Sequence, residues 1–415
     1  MTERERQGWY IVASLFVVLV FIFGSGYNTG GLFFAHLLKY FGWPRAQLST
    51  LQGLALPISA GLAAPLIGWL LDRVEARIVM VAGVLMTGTS FLLASRVDSF
   101  APLFGAYVML GVGIGASTLL PCSLVIANWF GARRGLAMGL AFAGTSLGGA
   151  AMTMVGSFAI AHGGWRAGYV ALAVPMFVVV IPLIIIMVRT RPPQAAGVNL
   201  SVAHASDALP GFELREAFRC RSFWMISAAQ FFFAAVSAGA GLHLITYLTE
   251  IGYTPSFAAG MMSLVLVFAA FGKLAMGLFA DRVSARIALT FNFLLAGVGM
   301  MLIFGVARTS VLIPFVLICG LTLGAPLVLI PMLVAESLGL KRFGSIGGIA
   351  GMFNTVGAFV GPVGAGKIYD LTGSYVPAFE VFVVMCILGA AVTFATRSLE
   401  SEQSHQTGAA VPVTA

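Results

Sequence analysis

Gly68-Trp-Leu-Leu-Asp-Arg-Val-Glu-Ala-Arg77 and Gly277-Leu-Phe-Ala-Asp-Arg-Val-Ser-Ala-Arg286 are two copies of one pattern, G-x-x-x-D-R-x-x-x-R, set 209 residues apart in a chain of 415. Each copy sits where one apolar run ends and the next begins. The same offset aligns Gly111-Val-Gly-Ile-Gly115 with Gly320-Leu-Thr-Leu-Gly324, and within one residue it pairs Arg133-Arg134 with Lys341-Arg342. The chain is one half repeated on the other. Two parallel repeats of apolar spans are the internal symmetry of carriers that rock one half against the other about a midplane site.

The solvent implied by the composition is lipid. Hydrophobic residues make up 59% of the chain and charged residues only 9%, where soluble domains run near 25% charged; the mean hydropathy is +0.99. A helix needs about 20 apolar residues to cross a bilayer. Such runs lie near 9–31, 47–71, 78–95, 101–127, 135–161, 165–188, 222–248, 257–280, 287–306, 310–338, 345–367 and 375–396. The pattern predicts an all-α membrane protein of twelve transmembrane helices in two six-helix repeats. The N-terminal bundle covers 1–189, a polar cytoplasmic linker 190–221, and the C-terminal bundle 222–397; the polar, then Ala/Val/Thr-rich tail 398–415 reads as disordered.

The net charge of +8 invites a nucleic-acid reading, but the charges sit in short loops between spans, as topology requires. With both termini inside, sixteen of the 23 Lys and Arg fall on the cytoplasmic side, which fixes the orientation by the positive-inside rule. No signal-peptide cleavage site precedes the first span. Cys122, Cys220, Cys319 and Cys386 lack metal-ligand spacing and read as small core residues. No metal or cofactor is expected. The spans hold no nucleophile–base cluster either, which leaves little room for a membrane enzyme.

One charge breaks the apolar pattern. Lys273 lies in Val265-Leu-Val-Phe-Ala-Ala-Phe-Gly-Lys-Leu-Ala-Met-Gly277, about four residues past the middle of its span. A cation at that depth costs about 2.5–3.5 kcal/mol on insertion scales, so it usually faces a cavity and has a function; the alternative is a lysine that snorkels to the interface. Every Asp and Glu falls at a span end or in a loop. One buried cation with no buried acid leaves an excess positive charge that an anionic substrate would neutralise. Cationic-drug carriers and sugar–proton symporters generally need a buried acid, so the absence argues against them.

The two G-x-x-x-D-R-x-x-x-R loops resemble the motif between helices 2 and 3, and 8 and 9, of the major facilitator superfamily. Trp129-Phe-Gly-Ala-Arg-Arg-Gly-Leu-Ala-Met-Gly-Leu-Ala-Phe-Ala-Gly144 resembles the helix-5 signature of the monocarboxylate transporters and their oxalate–formate antiporter relatives. Phe41-Gly-Trp-Pro-Arg-Ala46, Gly164-Trp-Arg166 and Asp370-Leu-Thr-Gly-Ser-Tyr375 are similar to bacterial members of that branch. The resemblance covers about Gly8 to Arg397. It implies the major facilitator fold, a monomer in the bacterial inner membrane, and alternating access. It also places Lys273 where related carriers have a substrate-binding arginine. Lysine is a point charge, not a bidentate fork, and can lose its proton when buried.

The same resemblance makes His243 a second substrate-binding candidate, against the alternative of a histidine bonded to a neighbouring helix. Tyr27, Asn28 and Asn354 are polar groups inside apolar spans, where they bond across helices or reach substrate. Thr118 lies near the position where some lactate-carrying relatives place a tyrosine, and Ala269 stands where relatives have an acidic or amide residue. Asp72, Arg73, Arg77, Arg133, Arg134, Asp281, Arg282 and Arg286 are candidate gating residues, since carboxylates there can accept from guanidinium groups and helix N-termini through strong but breakable bonds. The expected function is proton-coupled transport of a small organic anion such as a lactate- or pyruvate-like monocarboxylate. Anion exchange of the oxalate–formate type, or export of lipophilic compounds, is the alternative.

Overall fold

Eleven helices are long and apolar enough to cross a membrane among the residues that the structure, a computed structural model, describes, which are 3–192 and 209–407. One of them, Arg134–Met187, is 54 residues long and is two spans merged. It turns at Gly164, where φ is 73° and ψ is −179°, backbone that only glycine adopts without strain. Divided there, the spans are α1 Glu3–Phe41, α2 Gln47–Leu71, α3 Ala76–Ala94, α4 Phe100–Trp129, α5 134–163 and α6 165–187. The second set is α7 Arg221–Glu250, α8 Pro255–Arg282, α9 Ala285–Gly305, α10 Thr309–Leu338, α11 Phe343–Thr372 and α12 Val376–Phe394. The expected all-helical membrane architecture is what the chain forms.

Two compact units divide the chain: Met1–Gly131 with Leu140–Ala205, and Ala132–Gly139 with Ser206–Ala415. In the first, α3 packs along α4 and α2 against α4. Glycines let α5 approach α1 closely: a Cβ on Gly144 or Gly148 would run into the α1 backbone at Phe16 or Val20. In the second unit α7 packs on α11, α9 on α12 and α8 on α10. Gly357 and Gly361 of α11 meet the α7 backbone at Phe231 and Ala235 in the same fashion, so the repeat seen in sequence recurs as packing.

Three irregularities matter for function. The first span runs on to Phe41, well past 31, because a π-helical turn over Gly24–Asn28 carries the helix through a Gly-rich stretch that reads as its end. The fourth span breaks at Thr118, φ −116° and ψ −114°. The tenth breaks at Gly324 and restarts at Pro326.

The tail is a correction. Over Leu399–Thr407, α13, it is helical, not disordered. Glu402 is buried and accepts from the N–H and hydroxyl of Ser222 at 2.9 and 2.6 Å. Ser222 lies in the first turn of α7, so an acidic group of the tail satisfies a donor that a helix N-terminus leaves open. Residues 193–208 of the linker and 408–415 of the tail lie outside the described residues.

Candidate functional site

Ala269, Lys273, Gly277 and Asp281 are spaced by four along α8 and so lie on one side of it. Lys273 is 3% exposed. Its stem lies over Gly324, where an added Cβ would come within 2.9 Å of Cε and 3.1 Å of Cγ. A break in α10 at a residue without a side chain thus makes room for the lysine. An anion at this place would meet both an ammonium and the positive end of the half-helix that restarts at Pro326.

One turn on, Gly277 and Gly135 pack backbone to backbone, and a Cβ on either would collide with the carbonyl of the other. A Cβ on Gly139 would come within 2.8 Å of the Lys273 carbonyl oxygen. This approach brings the start of α5 to Asp281. Its Oδ1 accepts from the N–H of Gly135 at 2.6 Å and its Oδ2 from Leu136 at 2.8 Å. The G-x-x-x-D spacing has a physical reason here: glycine admits the second helix, and the carboxylate one turn away caps it. Arg134 lies in the field of both Glu336 and Asp281. These groups all belong to the second unit.

Of the remaining basic gating candidates, Arg286, Arg73 and Arg77 have separate partners. Arg282 and Arg133 are exposed. Arg286 donates to the Thr396 carbonyl at 3.2 Å and stands 5.8 Å over Phe394. In the first unit Asp72 is 5% exposed and attracts Arg191, whose guanidinium burial holds below its ordinary value. Arg73 lies 4.1 Å over the Trp69 ring, and Arg77 pairs with Glu75 at 3.2 Å.

His243 is bonded between helices. Its Nε2 faces the Pro362 carbonyl of α11 at 3.0 Å and its Nδ1 the Tyr375 hydroxyl at 3.2 Å. A carbonyl can only accept, so Nε2 carries the proton, and in the neutral ring Nδ1 accepts from Tyr375. Tyr27 stacks on Phe23 at 4.7 Å within the π-helical turn. Asn28 donates to the Phe23 carbonyl at 3.4 Å beside Gly149 of α5. The Thr118 hydroxyl donates to Ile114 at 2.7 Å within its own helix. Asn354 is half-buried on α11. The structure therefore gathers Lys273, Asp281 and Arg134 along α8, and Tyr27 with Asn28 on one turn of α1.

A family pattern described as the Major Facilitator Superfamily matches residues 15–362 and 246–414. The chain belongs to the Major Facilitator Superfamily. Monocarboxylate transporter 13 of Bos taurus is 24% identical over 394 residues, covering 93% of this chain and 88% of that protein. An uncharacterised MFS-type transporter of Bacillus subtilis (strain 168) is 22% identical over 418 residues, covering 94% and 96%. The fold matches the human organic anion transporter MFSD10 with TM-score 0.72 at 17% identity over 95% of this chain and all of that one. It matches the proton:xylose symporter XylE at TM-score 0.77 and 13% identity over 97% and 99%. This Major Facilitator Superfamily protein is a multi-pass membrane transporter and not an enzyme.

Three groups in the transporter escape a reading of the sequence. Glu336, near the end of α10, accepts the N–H of Ala285, the first residue of α9, at 3.0 and 3.2 Å. An acid two residues from a span end was its only visible signal. Gly324 gains its meaning from Lys273 above it, with Gly324-Ala-Pro326 as the sequence sign of a break. Glu213 of the linker binds Arg342 through Nε at 2.9 Å and Nη2 at 3.2 Å, and Lys341 at 3.1 Å. The Arg342 hydrogen bond holds the Glu213 carboxyl below the usual carboxylate range. Both partners lie about 129 positions away in sequence, so pattern alone could not pair them.

Proposed function

We propose that this transporter carries small organic anions, monocarboxylates of the lactate or pyruvate kind, together with protons and by alternating access. The observation that carries the reading is Lys273, a buried cation in mid-span over the break in α10. The substrate carboxylate pairs with the ammonium, and the half-helix beginning at Pro326 adds its dipole. Every Asp and Glu falls at a span end or in a loop, which favours an anionic over a cationic substrate. An ammonium can also give up its proton where a guanidinium cannot, which makes Lys273 the proposed proton carrier. The names of two similar proteins, a monocarboxylate transporter and an organic anion transporter, favour the same substrate class.

In this reading His243, Tyr27, Asn28, Thr118 and Asn354 contribute to substrate binding. Asp281, with Arg134 and the other gating residues, forms breakable contacts that bias the two conformations. Both termini face the cytoplasm of a bacterium, the membrane is the inner one, and the protein works as a monomer. The basic residues at span ends support that orientation.

The test is counterflow of labelled monocarboxylates and dicarboxylates into proteoliposomes, with and without an inward proton gradient. Lys273→Gln should cut carboxylate flux by about tenfold or more, as expected for loss of a charge-assisted contact. Flux that rises with the gradient supports symport, whereas dependence on internal anion alone makes the protein an exchanger. Native flux in Lys273→Gln would refute the carboxylate site.

A further inference from the structure

The two repeats part company at one helix crossing. In the first unit Gly83 of α3 and Gly113 of α4 meet backbone to backbone, so that a Cβ on Gly83 would come within 2.7 Å of the Gly113 carbonyl oxygen. Thr87 fills the next turn and donates to the Gly83 carbonyl at 2.9 Å. Advanced by 209 residues, these three positions are Asn292, Thr322 and Ala296. Side chains at two former glycines bar the close approach, and alanine in place of threonine leaves the next turn unfilled.

A cavity stands there. It offers about 60 Å³ of free space inside the second unit, bounded by α7, α8, α9, α10 and α12. Val236, Leu244, Val265, Met300 and Phe315 form much of its wall. A water needs about 10–15 Å³ of such space, and apolar voids stay dry. Packed interiors rarely keep such a space, because its lining loses contacts on one side.

Asn292 gives the cavity a polar end. Pro326 lacks an N–H, so the Thr322 carbonyl one turn back has no helical donor. Asn292 Nδ2 donates to that carbonyl at 3.3 Å, which fixes the orientation of the amide. Oδ1 is then an acceptor, buried and without a hydrogen-bond partner. The Thr322 hydroxyl cannot supply one, since it donates to Ile318 at 2.9 Å. A buried acceptor left open is unfavourable, and a ligand that brings one donor removes the deficit.

We infer that this cavity is a binding site for a small apolar molecule bearing a single hydrogen-bond donor, of the phenol or short-chain alcohol class, held through Asn292 Oδ1. The apolar body fills the wall and the O–H meets the amide oxygen. The occupant lies against Thr322 and Pro326, at the break in α10 on which Lys273 rests, so it stiffens that break. The site does not depend on the carboxylate reading, because Lys273 contributes nothing to its wall.

The test uses the full-length protein in lipid nanodiscs, with 4-fluorophenol and fluorobenzene as probes of nearly equal shape. Saturable binding is followed by fluorine NMR against empty nanodiscs. The phenol should bind at least about fivefold more tightly than fluorobenzene, the worth of one net hydrogen bond. Asn292→Leu should abolish that preference while fluorobenzene still binds, and Ala296→Phe, which fills the cavity, should abolish saturable binding of both. Thermal unfolding of each variant shows that it is folded. Absence of saturable phenol binding to the native protein, which leaves only water in the cavity, overturns the proposal. So does equal binding of the two probes, or an unchanged preference in folded Asn292→Leu.

Discussion

Asp281 Oδ1 accepts the N–H of Gly135 at 2.6 Å, and the two residues meet because Gly277, one turn before the acid, has no side chain to hold α5 away from α8. With Leu136 on Oδ2 at 2.8 Å, one carboxylate satisfies two donors that the start of a helix leaves open. The bond is charge-assisted, yet it needs only a small separation of α5 from α8 to break. That is the character required of a contact made in one conformation and released in another.

Asp281→Asn keeps one acceptor but turns an N–H₂ toward a backbone donor. The loss should be about 2 kcal/mol of bias toward the capped state, in the range for bonds to charged groups. Thiol labelling of Leu136→Cys should quicken severalfold in the Asp281→Asn background, with carboxylate flux reduced. Equal labelling rates in the two backgrounds would show that the cap does not hold α5.

Gly277→Ala is a purely steric counterpart. Its Cβ would strike the Gly135 carbonyl, and neither backbone can move without disturbing the cap. Overpacking of this kind costs about 1–3 kcal/mol. Gly105→Ala serves as the control, since its Cβ would meet nothing within 4 Å. Thermal unfolding in detergent should show Gly277→Ala clearly lowered and Gly105→Ala unchanged or slightly raised. Equal midpoints would mean that the helices relax freely at Gly277.

How much of this was legible from the chain alone divides along a physical line. Span positions follow from local hydropathy, and the repeat follows from Gly68–Arg77 and Gly277–Arg286, so the fold was readable. Lys273 was readable because a charge in lipid is conspicuous. Glu336, Glu213 and Glu402 were not, because each acts on a residue 51 to 180 positions away. The π-helical turn of α1 hid the true length of that span, since Gly24-Ser-Gly and Asn28-Thr-Gly read as a terminus. The tail looked disordered from its polarity, whereas Glu402 within it binds the N–H and hydroxyl of Ser222.

Gly324→Ala probes the lysine without touching its charge. The new Cβ would lie within 3.1 Å of the Lys273 Cε and Cγ and would also strike the Ala269 carbonyl, so the ammonium must shift. Carboxylate flux should fall about tenfold, as for a small misplacement of a binding group. In the Lys273→Gln background the same change should add little, because the two alter one contact. Fully additive losses would separate Gly324 from the proposed anion site.

The linker clip should respond to pH. Glu213 binds Arg342 and Lys341, and the adjoining backbone pairs Phe212 N–H with the Leu338 carbonyl at 3.1 Å and Leu340 N–H with Pro210 at 2.9 Å. The Arg342 hydrogen bond comes first among the causes that lower the Glu213 carboxyl. A depressed carboxylate contributes stability that is complete above the unfolded carboxylate value, about 4.3, and is lost as pH falls through the lower folded value. The side chain is about two-fifths exposed, so solvent screening keeps the gain small. Hydrogen exchange of Phe212 and Leu340, corrected for intrinsic rates, should therefore be flat from pH 7 to about 5 and accelerate below the ordinary carboxylate range. Glu213→Gln should exchange faster at neutral pH and lose the acid-induced rise. A native pH profile in that variant would assign the acid sensitivity to another group.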